Sequence, residues 1–492
     1  MNSQTDMLQN KPVLRSPRSR SIRVLRRIMW VLLGFVVLIL LFIVGVMFIN
    51  LHDESLSPEV RALMQAPVYK VADKKNGFFI LRAIDADPSL DAFKSGREIV
   101  ASDERRYLQN PITFDQLTRD ESKEKKLEST WDQRRCISPL NNCMQADLTR
   151  RAELEKLLVA NQILLQRYMQ MQVMEGFEEH VIPTPGSPIP NMSPLVQAAE
   201  MVMVLAEFDI ADGKFDRGIQ RLQQNDRYLR SLMRNTSTLI SRMVSIAIIR
   251  KQAKLVSDLV ELKPELLTHY RQQLSELVRP LSQEEKNFVG VFTNEARFFT
   301  FLQYLLHQKN DSREDIVKGF FSKKLGRFFY QPNATMNQIL LLWSERIALL
   351  RQSPLPIDTM RQQAAARSKA IEENMTFPYT HYFYNPIGKI LAYVSEDTSA
   401  TYVTYLERSI DLDGYLSLVS LQMELRSQHI TESGISEYLA KASPALRNPY
   451  DASPMTWDAQ KRQLQFTGRQ KASSNLNGGK LYIVQLSDAA IH

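Results

Sequence analysis

Five groups of residues in this 492-residue chain have types and spacings that could do chemistry. Cys136 and Cys143, the two cysteines, stand in Arg135-Cys136-Ile137-Ser138-Pro139-Leu140-Asn141-Asn142-Cys143. A dithiol redox centre needs C-x-x-C, and zinc needs two further ligands nearby; the histidines closest in sequence are His52 and His180. The pair reads as a structural disulfide, with free thiols or a labile redox switch as the alternatives. Glu178-Glu179-His180 could hold a general base, although three adjacent helical residues point in different directions. Asp411-Leu412-Asp413-Gly414 opens like a calcium loop but lacks the third acid and the closing Glu, so it reads as helix capping. Gly478-Gly479-Lys480-Leu481 lacks the upstream glycine and the hydroxyl of a phosphate loop. Phe377, Tyr379, Tyr382, Phe383 and Tyr384 form the densest aromatic patch. Such rings either stack on a ligand or partner as a platform, or pack a loop against the body.

The remaining signatures fail. There is no G-x-S-x-G elbow and no H-E-x-x-H, and no two of the seven histidines are three or four residues apart. No catalytic, cofactor-binding or metal residue is therefore assigned, and no cofactor is expected.

Charge and hydropathy are more informative. Residues 1–27 carry seven cations against Asp6, a net +6 that leaves only +2 of the chain's +8 for the rest. A nearly neutral body lacks the electrostatic footprint of a nucleic-acid binder. Residues 28–49 then run 22 positions without a charge, about 33 Å as a helix against a hydrocarbon core of roughly 30 Å. Trp30 sits near one end, where an indole prefers the interface. The exit, Val46-Met47-Phe48-Ile49-Asn50, is too bulky for signal cleavage, so the segment reads as an uncleaved anchor. With the cations before it and Asp53, Glu54 and Glu59 after it, the expected topology is N-terminus cytoplasmic and body periplasmic. The partner expected for residues 28–49 is the lipid bilayer.

The elements that would position these residues are mainly helical. Residues 50–145 form a mixed membrane-proximal region with the disulfide loop, including a short helix from Pro58 to Met64. Apolar residues recur at threes and fours from Ala146 to about Phe177, predicting one long helix. Prolines 183–194 interrupt it. Leu195–Ile210 and Phe215–Met233 predict an antiparallel hairpin through Ala211-Asp212-Gly213-Lys214, and Ser237–Leu262 is apolar enough to be central. Further helices are predicted over Glu265–Leu277, Ser282–Leu306, Met336–Leu350, Thr359–Glu373 and Asp411–Gln428. A β-hairpin around Asp458–Arg462 and a strand from Lys480 to Leu486 close the chain. The expected organisation is a tail (1–27), an anchor (28–49), the mixed region (50–145), a helical bundle or hairpin body (146–445) and a C-terminal β element (446–492).

Asn385-Pro386-Ile387-Gly388-Lys389, Asp411-Leu412-Asp413-Gly414-Tyr415 and Asn448-Pro449-Tyr450-Asp451 resemble a group of bacterial single-pass inner-membrane proteins of unknown function. The last is similar to a D-P-F/Y-x-G-K-P ending of exported helical proteins, with Ala452-Ser453-Pro454 in place of Gly-Lys-Pro. The resemblance implies an envelope location and no activity. The expected function is a membrane-anchored interaction or scaffold protein docking another envelope protein. The alternative is a periplasmic enzyme acting on a cell-envelope sugar or peptide in an aromatic-lined cleft.

Overall fold

The computed structural model describes residues 18–109 except 66, 125–131, 141–312 except 183, 185 and 186, 329–397 except 353, 354 and 374–382, and 399–486 except 473 and 474. Helix α1, Arg18–Ile49, contains the expected apolar run. Its Val24–Ile49 stretch is long and apolar enough to cross a membrane, and almost none of it is covered by other parts of the chain. Only its last turns differ: Val46 and Asn50 are buried.

The membrane-proximal region holds α2 (Pro58–Leu63), α3 (Phe78–Arg82) and α4 (Ala92–Gln109). The α3 turn buries Phe78, Phe79, Ile80 and Leu81, while α4 buries only Ala92, Gly96, Val100 and Asp103. That stripe has helical spacing but small or polar members, so its period was invisible to an apolar pattern.

The single helix expected over Ala146–Phe177 is instead three: α5 (Cys143–Thr149), α6 (Arg151–Ala160) and α7 (Gln162–Gln172), broken at Arg150 and Asn161. Asn161 explains the second break. Its buried side chain donates to the Leu157 carbonyl and the Thr130 hydroxyl and accepts from Ser129 Oγ and Thr130 N at 2.9–3.1 Å, tying down residues 129–130. A buried Asn that bonds locally competes with the helical ladder.

The hairpin forms as expected from α8 (Ser193–Ala211) and α9 (Phe215–Asn235), and Gly213 takes the left-handed φ of 78° that the turn requires. Helix α10 (Leu239–Leu262) is buried along most of its length, then α11 (Leu266–Leu277) follows. The helix expected over Ser282–Leu306 splits into α12 (Gln283–Lys286) and α13 (Val289–Ser312). Ser282 and Glu285 form a capping box on the first piece, and Asn287 turns extended to cap Val289 N at 2.8 Å. Helices α14 (Pro332–Leu350), α15 (Ile357–Glu373), α16 (Pro386–Asp397), α17 (Ser399–Ser427) and α18 (Glu432–Lys441) complete the helical part.

Helices α8, α9 and α10 pack in sequence, and α17 packs against both α10 and the sheet. Helix α14 packs against α13 and α16, and Gln331 just before it bonds Asn50 at the end of α1. Helix α17 is buried nearly all round from Tyr402 to Leu425, the signature of a central helix. The antiparallel sheet runs β1 (Thr456–Asp458), β2 (Gln463–Ala472), β3 (Asn475–Gln485) in that order. Leu464 pairs with Val484 and Phe466 with Tyr482, so their side chains form one buried face. Gly414 lets that face close: a Cβ there would lie 2.4 Å from Phe466 Cε1.

Candidate functional site

The motifs that carry the sequence resemblance turn out to be joints. Asp411 and Asp413 do not cap a helix; both sit inside α17, which begins twelve residues earlier, at Ser399. Asp411 is fully buried and accepts from Tyr450 Oη (2.6 Å), Arg469 N (2.9 Å), Gln470 N (3.1 Å) and Tyr482 Oη (3.2 Å). Asp413 accepts from Leu281 N at 2.7 Å and pairs with Lys286. The capping reading fails because the helix continues upstream of Asp411 through Tyr402, Val403, Leu406 and Ile410, an apolar stripe at helical spacing. Within Asn448-Pro449-Tyr450-Asp451, Asn448 N bonds Ser453 O and Ala452 N bonds Asn448 O, shaping a turn that aims Tyr450 at Asp411.

The Asn385 motif joins the body to α1. Asn50, the residue just after α1, donates from its side chain to the Val46 and Phe383 carbonyls and accepts from Asn385 N at 2.8 Å. Gln331 Nε2 donates to the Asn50 carbonyl at 2.6 Å. Asn385 itself is buried at a φ of 49°, with its side chain accepting from Gln331 N and Gly388 N and donating to Thr335 Oγ1. A Cβ on Gly388 would lie 1.9 Å from Thr335 Oγ1 and 2.2 Å from Asn385 Oδ1. Asp53 then caps the start of α14, accepting from Asn333 N (2.7 Å) and Ala334 N (3.1 Å). Asn337 accepts from Ser57 N at 2.9 Å. Residues 50–57 therefore run along the head of α14 as a bonded strap.

Other sequence candidates are also structural. Glu179 is buried and accepts from Ser237 N, Thr238 N, and the hydroxyls of Thr236, Ser237, Thr238 and Ser241, which anchors the entry to α10. Glu178 accepts from Lys70 N and Val71 N at 2.7 Å. His180 stacks on Tyr69 with ring centroids 3.5 Å apart and places Nδ1 3.5 Å from Glu104. Beside it Arg82, Asp103 and Glu104 enclose about 10 Å³, room for one water and no substrate. Phe377, Tyr379 and Tyr382 lie outside the described residues. Phe383 and Tyr384 are half-buried at the end of α1, with the Phe383 ring edge-on to Phe42 at 5.6 Å. Cys136 also lies outside the described residues, so its bridge to Cys143 stands as a proposal. Cys143 begins α5, its N–H bonded to Asp258 Oδ2 at 3.0 Å.

What sequence reasoning missed is a cavity of about 230 Å³ where α5, α8, α10, α17 and β3 converge. Met203, Leu255 and Tyr415 supply apolar wall, and Arg250, Lys254 and Lys480 supply positive charge. Buried Asp147, Glu200 and Glu207 line it too. Glu200 is engaged, accepting from Trp131 Nε1 at 3.1 Å and paired with Lys251, so it is not a free base. Burial, and then the neighbouring Arg250 charge, lower the Lys480 pKa. Four cations, Arg250, Lys251, Lys254 and Lys480, thus face three acids, with Lys251 paired to Glu200 and Lys254 to Asp258, so the cavity is a mixed-charge pocket of small-ligand size with an apolar part. Its members come from five distant segments, and no local spacing signals them.

The densest buried ion cluster lies elsewhere. Arg230 bridges Asp226 (2.8 Å) and Glu285 (3.1 Å), and Arg234 and Arg279 also reach Glu285. Burial opposes ionisation of Glu285, but hydrogen bonds from Arg279 and Ser282 and the Arg230 charge hold it down at about 2. The cluster joins α9 to the α11–α12 turn. Among the described residues no group of three or more His, Cys, Asp or Glu could hold a metal ion. No family model, curated protein or solved structure matches the chain.

Proposed function

We propose that the chain is a single-pass protein of the bacterial inner membrane that presents a helical body in the periplasm at a fixed pose, as a docking or scaffold module for another envelope protein. The observation that carries this is the joint at Asn50, where the apolar helix meets the body through buried hydrogen bonds to Phe383, Asn385 and Gln331 and not through a flexible linker. A bonded joint costs conformational entropy that a mere tether would not need. The N-terminal cations and the apolar Val24–Ile49 stretch support the orientation. The test is cross-linking of tagged full-length protein in intact cells. A discrete envelope partner lost on Asn385→Ala, compared at matched protein levels, is the expected result. The same adducts in both proteins would refute fixed-pose docking. A reporter that works only in the periplasm should be active after His492 and silent within residues 1–20.

A second reading, ligand binding or catalysis on an envelope sugar or peptide, is favoured by the 230 Å³ cavity. It predicts that anionic muropeptides raise the melting temperature of the intact protein. Arg250→Ala should abolish that rise, and no rise with the native protein would remove the reading.

A further inference from the structure

The body touches α1 not only at its end but along its last turns. Phe42 lies seven residues before Ile49, about 10 Å up the helix at 1.5 Å per residue, and the Phe383 ring packs edge-on against it. Phe383 is held there from behind: its carbonyl accepts from Asn50, and the next two residues lead into buried Asn385. The Phe383 ring is therefore fixed at the level of the apolar span, and Tyr384 next to it lies near Asp53 and Glu54 just past the span's end.

The pattern of the span points the same way. Its N-terminal end has Trp30, but residues 41–55 contain neither Trp nor Tyr. Aromatic side chains usually mark both interfaces of a crossing helix. Here the body supplies the missing set.

We infer that the face of the body around Phe383 and Tyr384 is a membrane contact, with Phe383 inserted among lipid acyl chains beside Phe42 and Tyr384 at the headgroup level. The occupant of this face is the outer leaflet of the bilayer that α1 crosses, and the contact is continuous with the exposed apolar surface of α1. Tyr384 suits that place. Burial and then the nearby Glu54 and Asp53 charges push its pKa up to about 12, and those two carboxylates are the first acids after the span. The proposal rests on the crossing of the membrane by α1 put forward above.

Spin labelling of the full-length protein in phosphatidylcholine–phosphatidylglycerol vesicles tests it. Labels are placed singly at Phe383→Cys, at Leu38→Cys inside the span and at Val159→Cys, an exposed site on α6, all with Cys136→Ser and Cys143→Ser. Oxygen partitions into hydrocarbon and a polar nickel complex does not, so the oxygen-to-nickel collision ratio should be on the order of tenfold higher at 38 and 383 than at 159. A ratio at 383 equal to that at 159, with 38 still high, overturns the membrane face alone. A low ratio at 38 overturns the crossing, and the face with it. If the cysteine variants do not fold, p-azidophenylalanine at position 383 of the native protein gives the same decision. Acyl-chain adducts support the face, and adducts only to a protein or a glycan overturn it.

Discussion

Asn385 offers a sharp perturbation, because its side chain and its backbone contribute separately. The side chain makes three buried hydrogen bonds, to Gln331 N, Gly388 N and Thr335 Oγ1, and the residue sits at a φ of 49°. Asn385→Gly removes the three bonds but accepts the backbone without strain. At roughly 0.5–1.5 kcal/mol per bond, with two N–H groups left unpaired, the loss is about 2–3 kcal/mol. Asn385→Ala loses the same bonds and adds about 1 kcal/mol for a Cβ in the left-handed region, giving about 3–4 kcal/mol. The assay is hydrogen exchange of the Gln331 and Gly388 amides in detergent-solubilised protein, where 1.4 kcal/mol is about a tenfold change in the opening equilibrium. Exchange should accelerate roughly 30- to 150-fold in the Gly variant and several-fold more in the Ala variant. Unchanged exchange in both would refute the claim that this side chain closes the joint. A Gly variant faster than the Ala variant would refute the backbone share.

Three further outcomes follow from the same physics. Asp411→Asn keeps the shape but withdraws the charge from two tyrosine hydroxyls and two backbone amides, and should cost about 2–4 kcal/mol, read as loss of exchange protection in β2 and β3 ahead of α8–α10. Glu285 is buried with three arginines and its carboxyl is lowered to about 2 from 4.5. Its stabilisation is therefore complete above about pH 4.5 and lost as pH falls through about 2. Glu285→Gln should cost about 3–5 kcal/mol at neutral pH and flatten the acid limb of a denaturation series; an unchanged limb would assign the acid sensitivity to other carboxylates. Replacing Cys136 and Cys143 by serine should lower stability by about 1–3 kcal/mol if they form the proposed staple, whereas thiols trapped free under oxidising conditions would remove the bridge.

Legibility followed the range of the interactions. The apolar span, the α8–α9 hairpin and the terminal strands were readable because each is decided within twenty or so residues by period, turn chemistry and length. The breaks at Asn161 and Asn287 were not readable, because each depends on what one side chain meets in space. Helices α4 and α16 escaped for different reasons: one buries a stripe of small and polar residues, and the other starts at the Asn385-Pro386 joint, which reads as a loop. Two acids beside a glycine mark Asp411 and Asp413 in the sequence, but their role depends on residues far along the chain. The partners of those acids lie 39 to 71 residues downstream for Asp411 and about 130 residues upstream for Asp413. The cavity around Arg250 and Lys480 had no local signal at all.

The strap at residues 50–57 also bears on how this protein can be divided. A cut after Ile49, the obvious place to make a water-soluble fragment, leaves Asn50 at a frayed new terminus while it must still satisfy Asn385 N and the Phe383 carbonyl. A cut at Pro58 removes the Asp53 cap as well, stripping the acceptors from Asn333 and Ala334 at the head of α14. Either truncation exposes the side of the body that Val46 and Phe42 cover in the whole chain. Fragments of this kind would keep the α8–α10 and α17–sheet halves intact but misreport the region nearest the membrane. Solubility of such a piece would then measure how well the rest tolerates an open seam, and partner screens run on it would sample a surface that the complete molecule never shows.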